Sequence, residues 1–357
     1  MTTSTTNKEF EEKLIGTLSD YVTAIAWSPV DSILAAVSAA GEVTLWQNNE
    51  LNFLQDATGE SVDCVAFSPD GKFLAIGGQD GRVKIWRDGE LIANLENATA
   101  WVDKLVWNPQ GNQLAFCIKT YVQIWDADRN QIIATVNFED SSPLGLDWSG
   151  DGKHLAVGGN KGVKIWDCEH WDEEPYFLEM STVSTAIAWS SDGKFLASGN
   201  MDRSVSVLEW GNPDPWVMRG FPGKIRHIAW SDINAPIGAP LLATCSVEGM
   251  VVWEKLAEES LGWEARVLTN HVDIIQGIAF APGSFLLASA ASDGWLCLWK
   301  KAKTVSQVIT GVSNGYSCLA WHPQGKLLAA GGDNGEIMVC SKISRSQVLA
   351  KNNSTLI

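Results

Sequence analysis

One short segment of the chain brings together a thiol, an imidazole and several carboxylates, side chains that bind metals or carry catalysis. Residues 166–174 contain Cys168 and His170, two positions apart, among acidic residues. These two side chains could supply two ligands to a soft divalent metal ion. A zinc site normally takes further protein ligands, and the sequence contains no second paired motif. We therefore interpret the segment as a solvated acidic loop and predict no metal site. The alternative is a metal site in which Cys168 and His170 are ligands.

The rest of the sequence carries no enzyme signature. Glycine pairs at 77–78, 158–159 and 331–332 recur in one sequence context, which is typical of tight strand packing rather than of a phosphate-binding loop. The five histidines lie in differing contexts, so no nucleophile and base pair is visible. We predict that the protein is not an enzyme and carries no cofactor.

A recurring segment determines the elements that position these side chains. A short apolar stretch ends in an aromatic residue and a Ser-Pro-like turn, and Leu-Ala then begins a stretch of small residues. The aromatic recurs at steps of 40, 40, 41, 41, 41, 50 and 41 residues: Trp27, Phe67, Trp107, Trp148, Trp189, Trp230, Phe280 and Trp321. A period of about 40–45 residues with short strands is typical of a β-propeller, in which each repeat is one four-stranded blade.

The second repeat shows the pattern most clearly. Residues 69–72 read Pro-Asp-Gly-Lys and predict a tight turn, Asp-Gly at 80–81 predicts the next hairpin, and the alternation at 83–86 predicts a strand. These repeats resemble the WD-repeat family over residues 13–350. The resemblance implies an all-β fold with a single closed β-propeller; eight copies favour eight blades, and seven, the commoner number in the family, is the alternative.

The resemblance also implies a structural tetrad inside one blade. In this family, the strands of a single blade are often held together by a buried, hydrogen-bonded set of His, Ser or Thr, Asp and Trp. Only the seventh repeat carries all four residues: His271, Ser289, Asp293 and Trp299. Leu208 replaces the closing Trp in the fifth repeat and Cys340 replaces it in the eighth. Because of such departures, we expect blades three to six to form the less regular arc.

A propeller of eight blades needs one fourth strand from a chain terminus. The residues before the first repeat match residues 266–269 before the seventh, so we expect residues 14–18 to pair with the last blade. Such an N-terminal strand closes the ring and removes an exposed sheet edge. Residues 348–350 are the alternative closing strand.

The termini and the cysteines bear on domain organisation and compartment. We expect a disordered N-terminal tail over residues 1–12, the propeller over 13–350 and a C-terminal tail over 351–357. The Thr-rich start lacks the apolar core of a signal peptide, and no apolar run is long enough to span a membrane. An odd number of cysteines, seven, without a signal peptide predicts a reducing cytoplasm.

The charge of the chain limits its partners. Acidic residues outnumber basic residues 42 to 26, for a formal charge of −16, and the sequence contains no basic run. Binding to a phosphate backbone depends on clustered Lys and Arg. We therefore expect proteins or peptides as partners rather than nucleic acid or an anionic membrane.

Partners of WD-repeat propellers commonly bind the face at which each blade begins, around the central channel. This position lies six residues before each aromatic: Tyr21, Ser61, Trp101, Ser142, Val183, Lys224, Ile274 and Gly315. Trp101 is the main candidate because Trp is enriched at binding hot spots; the alternative is a ring that plugs the channel. We expect Tyr21, Lys224, Arg226 and Ile274 to complete an amphipathic patch with a cationic rim.

Two insertions around the sixth repeat offer a rival surface. Residues 231–240 lengthen its first hairpin and residues 257–263 lengthen the link that follows. From these observations we predict a non-catalytic scaffold that docks partners on a rigid propeller face. A metal-handling or complex-assembly factor that uses Cys168 and His170 is the first alternative, and an enzyme with a site in the central channel is the second.

Overall fold

A ring of eight blades makes up the part of the protein that the computed structural model describes, residues 8–97, 100–138 and 141–343. Each blade is an antiparallel sheet of four strands, and the described residues contain no α-helix. The prediction of an all-β propeller with eight blades is confirmed, and the alternative of seven is wrong. No helix among the described residues is long and apolar enough to cross a membrane.

In blades one to seven the strands follow the chain from the innermost to the outermost position, and in blade eight the N-terminal strand β1 takes the outermost position. Blades one and two contain β2 (Val22–Trp27), β3 (Leu34–Ser38), β4 (Val43–Gln47), β5 (Glu50–Gln55), β6 (Val62–Phe67), β7 (Phe73–Gly78), β8 (Arg82–Arg87) and β9 (Glu90–Glu96). Blades three and four contain β10 (Leu105–Trp107), β11 (Gln113–Ile118), β12 (Tyr121–Asp126), β13 (Gln131–Asn137), β14 (Gly145–Trp148), β15 (His154–Gly159), β16 (Gly162–Asp167) and β17 (Tyr176–Glu179). Blades five and six contain β18 (Ser184–Trp189), β19 (Phe195–Asn200), β20 (Ser204–Glu209), β21 (Trp216–Arg219), β22 (His227–Asn234), β23 (Pro240–Cys245), β24 (Met250–Lys255) and β25 (Trp263–Leu268). Blades seven and eight contain β26 (Ile275–Phe280), β27 (Leu287–Ala291), β28 (Leu296–Lys300), β29 (Thr304–Ile309), β30 (Tyr316–Trp321), β31 (Leu327–Gly332), β32 (Glu336–Lys342) and β1 (Phe10–Thr17).

The turn after the innermost strand is built the same way in several blades. In blade two, the Ser68 hydroxyl donates to Asp70 at 2.7 Å and accepts the Phe73 N–H at 3.0 Å. Gly71 adopts a φ of +72°, which a side chain would strain. Two further Ser-x-Asp turns, in blades four and five, repeat the hydroxyl to carboxylate bond at 2.6 and 2.7 Å. These local bonds explain why the Ser-Pro-Asp-Gly pattern reverses the chain after the aromatic.

The aromatic residue that ends the innermost strand joins neighbouring blades. Trp27 donates its indole N–H to the Ala320 carbonyl at 3.1 Å, which links blade one to blade eight and closes the ring. The same bond, at 3.0 to 3.2 Å, joins four further pairs of adjacent blades: Trp107 to Ala66, Trp148 to Val106, Trp230 to Ala188 and Trp321 to Ala279. The repeated aromatic is therefore a structural residue, which explains its regular spacing.

Paired glycines lie at positions where a neighbouring strand or the adjacent blade leaves no room for a side chain. A Cβ atom at Gly77 would collide with Val102 of the next blade, and one at Gly78 would collide with the backbone of Ser61. A Cβ atom at Gly331 would collide with Val22 across the ring closure. Tight packing between strands accounts for these glycines, as their recurrence predicts.

The N-terminal strand closes the ring, as predicted. β1 pairs antiparallel with β32, from Phe10 opposite Lys342 to Thr17 opposite Glu336. The strand begins at Phe10, so the predicted tail over residues 1–12 extends three residues too far. Phe10 is completely buried, and its ring centroid lies 5.6 Å from that of Trp321. The alternative closing strand at 348–350 and the tail at 351–357 lie outside the described residues.

Blades three to six depart from the regular pattern only in part. The shortest strands, β10, β14, β17 and β21, lie in blades three to five, whereas every strand of blade six has at least six residues. Residues 231–240 extend the β22 and β23 hairpin, which re-pairs at Asn234 and Pro240. In the second insertion Glu259–Leu261 forms a 3₁₀ turn. β25 begins at Trp263, three residues before the segment 266–269 that the sequence analysis compared with the closing strand, and Trp263 packs against Phe195 and Trp230.

Candidate protein-binding face

The innermost strands of neighbouring blades pack side by side around the channel, so they all begin at one face of the ring. We call this surface the entry face. It is formed by the residues that precede β2, β6, β10, β14, β18, β22, β26 and β30. The structure places all five predicted partner-binding residues there: Tyr21, Trp101, Lys224, Arg226 and Ile274.

Trp101 projects from the entry face on a fixed piece of backbone. The residue is 67% exposed, whereas its neighbours Ala100 and Val102 are 4% and 0% exposed. Val102 donates its N–H to the Gly78 carbonyl at 3.0 Å, and its own carbonyl accepts the Cys64 thiol at 3.3 Å. An exposure of 67% does not fit a ring packed into the channel as a plug. The large side chain is instead held toward solvent.

A cavity of about 370 Å³ lies beside the Trp101 side chain. It combines apolar and charged groups from blades three and four, and its lining includes Trp101, Asp103, Cys117, Lys119, Pro143 and Leu144. A concave site with an exposed aromatic edge can accept one side chain of a bound segment and position it by polar contacts.

Tyr21 lies in acidic surroundings at the boundary of blades eight, one and two. The residue is 42% exposed, and its N–H donates to the Asp20 carboxylate at 2.7 Å. Partial burial raises the pKa of the Tyr21 phenol, and the carboxylates of Asp63, Asp20 and Asp333 raise it further. Asp63 belongs to blade two and Asp333 to blade eight, so two of these carboxylates come from neighbouring blades.

Cationic side chains also lie at the entry face. Lys224 and Arg226 are exposed on either side of Ile225, which is 1% exposed. The pKa of the His227 imidazole is lowered to about 4, first by burial and then by the charges of Arg226 and Lys104. Lys104 belongs to blade three and Arg226 to blade six, so cations from two separate blades act on one imidazole. The entry face therefore carries carboxylates as well as the expected cationic groups, and the Lys104 ammonium itself lies 3.7 Å from the Asp103 carboxylate.

Sequence reasoning missed Lys104 and His227, although their positions carry a signal. Each lies three residues before the aromatic of its repeat, Trp107 and Trp230. That position is occupied by Ala, Cys or Gly in the other six repeats. A comparison of this one position across the eight repeats would have identified both side chains as unusual.

Ile274 lies at the entry face with its backbone held by hydrogen bonds. Its N–H donates to the Asp273 carboxylate at 2.7 Å, and its carbonyl accepts the Ser292 N–H at 2.9 Å. Ile274 is half-buried, whereas Val272, two residues earlier, is 75% exposed. Val272 is thus the apolar side chain that blade seven presents at the entry face, and the sequence analysis did not single it out.

The four residues of the expected tetrad lie together in blade seven. His271 Nε2 lies 2.7 Å from Ser289 Oγ, and the Trp299 indole N–H donates to the same oxygen at 2.8 Å. His271 Nδ1 lies 3.0 Å from Asp293 Oδ2. The Asp293 carboxylate also accepts the N–H groups of Val272 and Trp295 at 3.0 and 2.9 Å. These bonds fix the loop that carries Val272.

Cys168 and His170 do not converge on a common point with further ligands. His170 Nδ1 lies 3.4 Å from Asp167 Oδ2, and this contact raises the pKa of the imidazole. Burial raises the pKa of the Cys168 thiol far above its usual range. Within the described ranges, no group of three or more His, Cys, Asp or Glu side chains is arranged to hold a metal ion.

Comparison with known proteins identifies the repeats. The family described as WD domain, G-beta repeat matches residues 12–47, 49–87, 131–167, 180–208, 262–300 and 303–341, more than half of the chain. No curated protein matches the chain. The unmatched stretches contain the first three strands of blade three, with its shortened innermost strand, and of blade six, with its extended hairpin.

Proposed function

Since the chain belongs to the WD40 repeat family, whose propellers generally act as protein-interaction scaffolds, we propose that it docks partner proteins or peptides on the entry face without catalysing a reaction. The observation that carries this proposal is the exposed Trp101 side chain on a buried, hydrogen-bonded backbone. A large aromatic residue held in place before binding offers apolar area at a small cost in conformational entropy.

The charges of the entry face support a partner segment of mixed charge. Basic groups of the partner would face the carboxylates around Tyr21, and acidic groups would face Lys104, Lys224 and Arg226. Complementary charges of this kind fix the orientation of a bound segment and speed its association. The partner would therefore lie across the channel mouth in one direction.

A tagged pull-down from native cytoplasm tests the proposal. Wild-type protein is compared with Trp101→Ala and with Phe53→Ala, which removes an aromatic residue that is 49% exposed on the outermost strand of blade one. We expect a stoichiometric partner with wild type and Phe53→Ala and its loss with Trp101→Ala. Equal recovery with all three proteins would contradict docking at Trp101.

We also propose that the protein is cytoplasmic. All seven cysteines are free thiols, and burial raises the pKa of Cys245, Cys297, Cys318 and Cys340 to about 12 in each case. Thiols of this kind behave as small buried hydrophobes and suit a reducing compartment. Fractionation of cells with an antibody against the chain checks this assignment, and recovery outside the cytoplasmic fraction would contradict it.

A further inference from the structure

A groove lies on the face of the ring opposite the entry face. The innermost strands end there, and the turns after the first and third strands of each blade project from it. A cavity of about 380 Å³ lies between blades six, seven and eight on this side. We call it the lysine groove; its lining includes Ile233, Phe285, Leu286, Lys300, Lys301 and Lys342.

Hydrogen bonds between blades hold the walls of the lysine groove in place. The Asp232 carboxylate, on the blade six hairpin extension, accepts the Gly283 N–H of blade seven at 2.8 and 3.0 Å. On the other side Lys342 pairs with Phe10 in the sheet of blade eight. The insertion that lengthens blade six therefore supplies one wall, and the closing strand supports the other.

The groove concentrates positive charge in an acidic protein. Lys300, Lys301 and Lys342 are exposed, and none of them forms an ion pair with any residue in the described ranges. Glu9 is the one carboxylate in the lining. Since charges beyond about 8 Å are largely screened at physiological salt, the local lysines decide what binds here, not the formal charge of −16.

The groove also has an apolar floor. Ile233, Phe285 and Leu286 are half-buried and form its apolar lining. They come from the extended hairpin of blade six and from the turn between β26 and β27. A ligand that fills the groove must therefore bring an apolar group as well as negative charge.

We propose that the lysine groove binds an acidic peptide segment of a partner protein. An apolar side chain of that segment packs on Phe285 and Leu286, and flanking carboxylates pair with Lys300, Lys301 and Lys342. A nucleic-acid backbone would satisfy the lysines but not the apolar floor. The chain's own residues 344–357 contain Arg345 and Lys351 and no acidic residue, so they do not complement the lysines.

The test measures binding of a fluorescein-labelled peptide with the sequence Glu-Asp-Leu-Phe-Glu-Asp by fluorescence anisotropy. The comparison peptide is Gln-Asn-Leu-Phe-Gln-Asn. Charge reversals Lys301→Glu and Lys342→Glu are compared with Lys153→Glu, an exposed lysine on the same face in blade four. Circular dichroism and thermal melting establish that each variant is folded.

We expect the acidic peptide to bind wild type and Lys153→Glu alike, and each groove reversal to weaken binding by about tenfold or more. Binding should weaken at high salt. It should persist in Trp101→Ala, so a failure of this proposal can be distinguished from a failure of docking on the entry face. The proposal is overturned if the neutral peptide binds equally well, if the groove reversals have no effect, or if no binding occurs.

Two further measurements separate other occupants. The first measures binding of single-stranded RNA and of vesicles with anionic lipid. If either binds through Lys301 and the acidic peptide does not, the peptide assignment is overturned. Sedimentation of the wild-type protein tests a second copy as the occupant. Self-association that Lys301→Glu abolishes would assign the groove to a contact between copies and would also overturn the proposal.

Discussion

Gln307 bonds the backbone of Phe10 through both the oxygen and the nitrogen of its carboxamide. Gln307 lies on the outermost strand of blade seven, and Phe10 is the first residue of the closing strand. Its Oε1 accepts the N–H groups of Phe10 and Glu9 at 2.9 Å each, and its Nε2 donates to the Phe10 carbonyl at 2.8 Å. Gln307 is 8% exposed and Phe10 is 0% exposed. A side chain of one blade thus anchors the strand that completes the next blade and closes the ring.

Replacement of this carboxamide should weaken the closure. We expect Gln307→Leu to lower the free energy of unfolding by about 1–3 kcal/mol, because buried backbone groups of Phe10 lose their partners. Chemical denaturation measures the change. Gln324→Leu, at an exposed turn of blade eight, is the control and should change stability little. Equal stability of Gln307→Leu and wild type would show that pairing with β32 holds the closing strand without the Gln307 hydrogen bonds.

Truncation of two tryptophans of blade three should have very different effects on stability. Trp107 is 6% exposed and bonds the Ala66 carbonyl of blade two, so Trp107→Ala should cost about 3–5 kcal/mol of stability. Trp101 is 67% exposed, so Trp101→Ala should change stability by less than about 0.5 kcal/mol. Thermal and urea unfolding of both variants measure this difference. A large loss from Trp101→Ala would mean that the ring is a structural plug.

The tetrad of blade seven depends on one hydroxyl. Ser289 Oγ is bonded by both His271 and Trp299, so Ser289→Ala leaves two buried polar groups without this partner. We expect a loss of about 1–3 kcal/mol in the free energy of unfolding. Ser341→Ala, at an exposed site on β32, is the matched control for loss of a hydroxyl. The expectation fails if both variants unfold at the same denaturant concentration.

Asp147 should make the stability of the ring depend on pH. Burial raises the pKa of its carboxyl to about 7, although the N–H groups of Trp189 and Trp148 bond it and lower the pKa in part. The folded state therefore holds this proton more tightly than the unfolded chain, whose Asp pKa is about 4. The stability that Asp147 contributes is present below about pH 4 and is lost as the pH rises through about 7.

The Asp147→Asn variant tests this dependence. Its side chain stays neutral and can still accept the Trp189 N–H, which Asp147 bonds at 2.7 Å. Relative to wild type, we expect the variant to gain about 1–3 kcal/mol between pH 4 and pH 7. Unfolding by urea at a series of pH values measures the gain, with Asp214→Asn on an exposed loop as control. A gain that does not vary with pH would contradict burial of a protonated carboxyl.

The repeat by itself determined the fold and the closing strand. The aromatic, the Ser-x-Asp-Gly turn and the small-residue strand act through local bonds and through contacts with an adjacent blade, so each copy in the sequence indicates one blade. The N-terminal strand was also predictable, because its apolar pattern matches a fourth strand. Its exact start was not, since Phe10 is ordered by Gln307 and Trp321, which lie about 300 residues away in the chain.

Only the tertiary structure decided which surface groups meet. The sequence singled out Trp101 but not the charged groups that meet around Tyr21 and His227. The carboxylates that act on Tyr21 come from different blades, and so do Lys104 and Arg226, which act on His227. The lysine groove likewise combines short segments of blades six, seven and eight that carry no signal alone. Local periodicity specifies each blade because its contacts are near in sequence, whereas charge and shape at the ring's faces arise only when closure brings distant loops together.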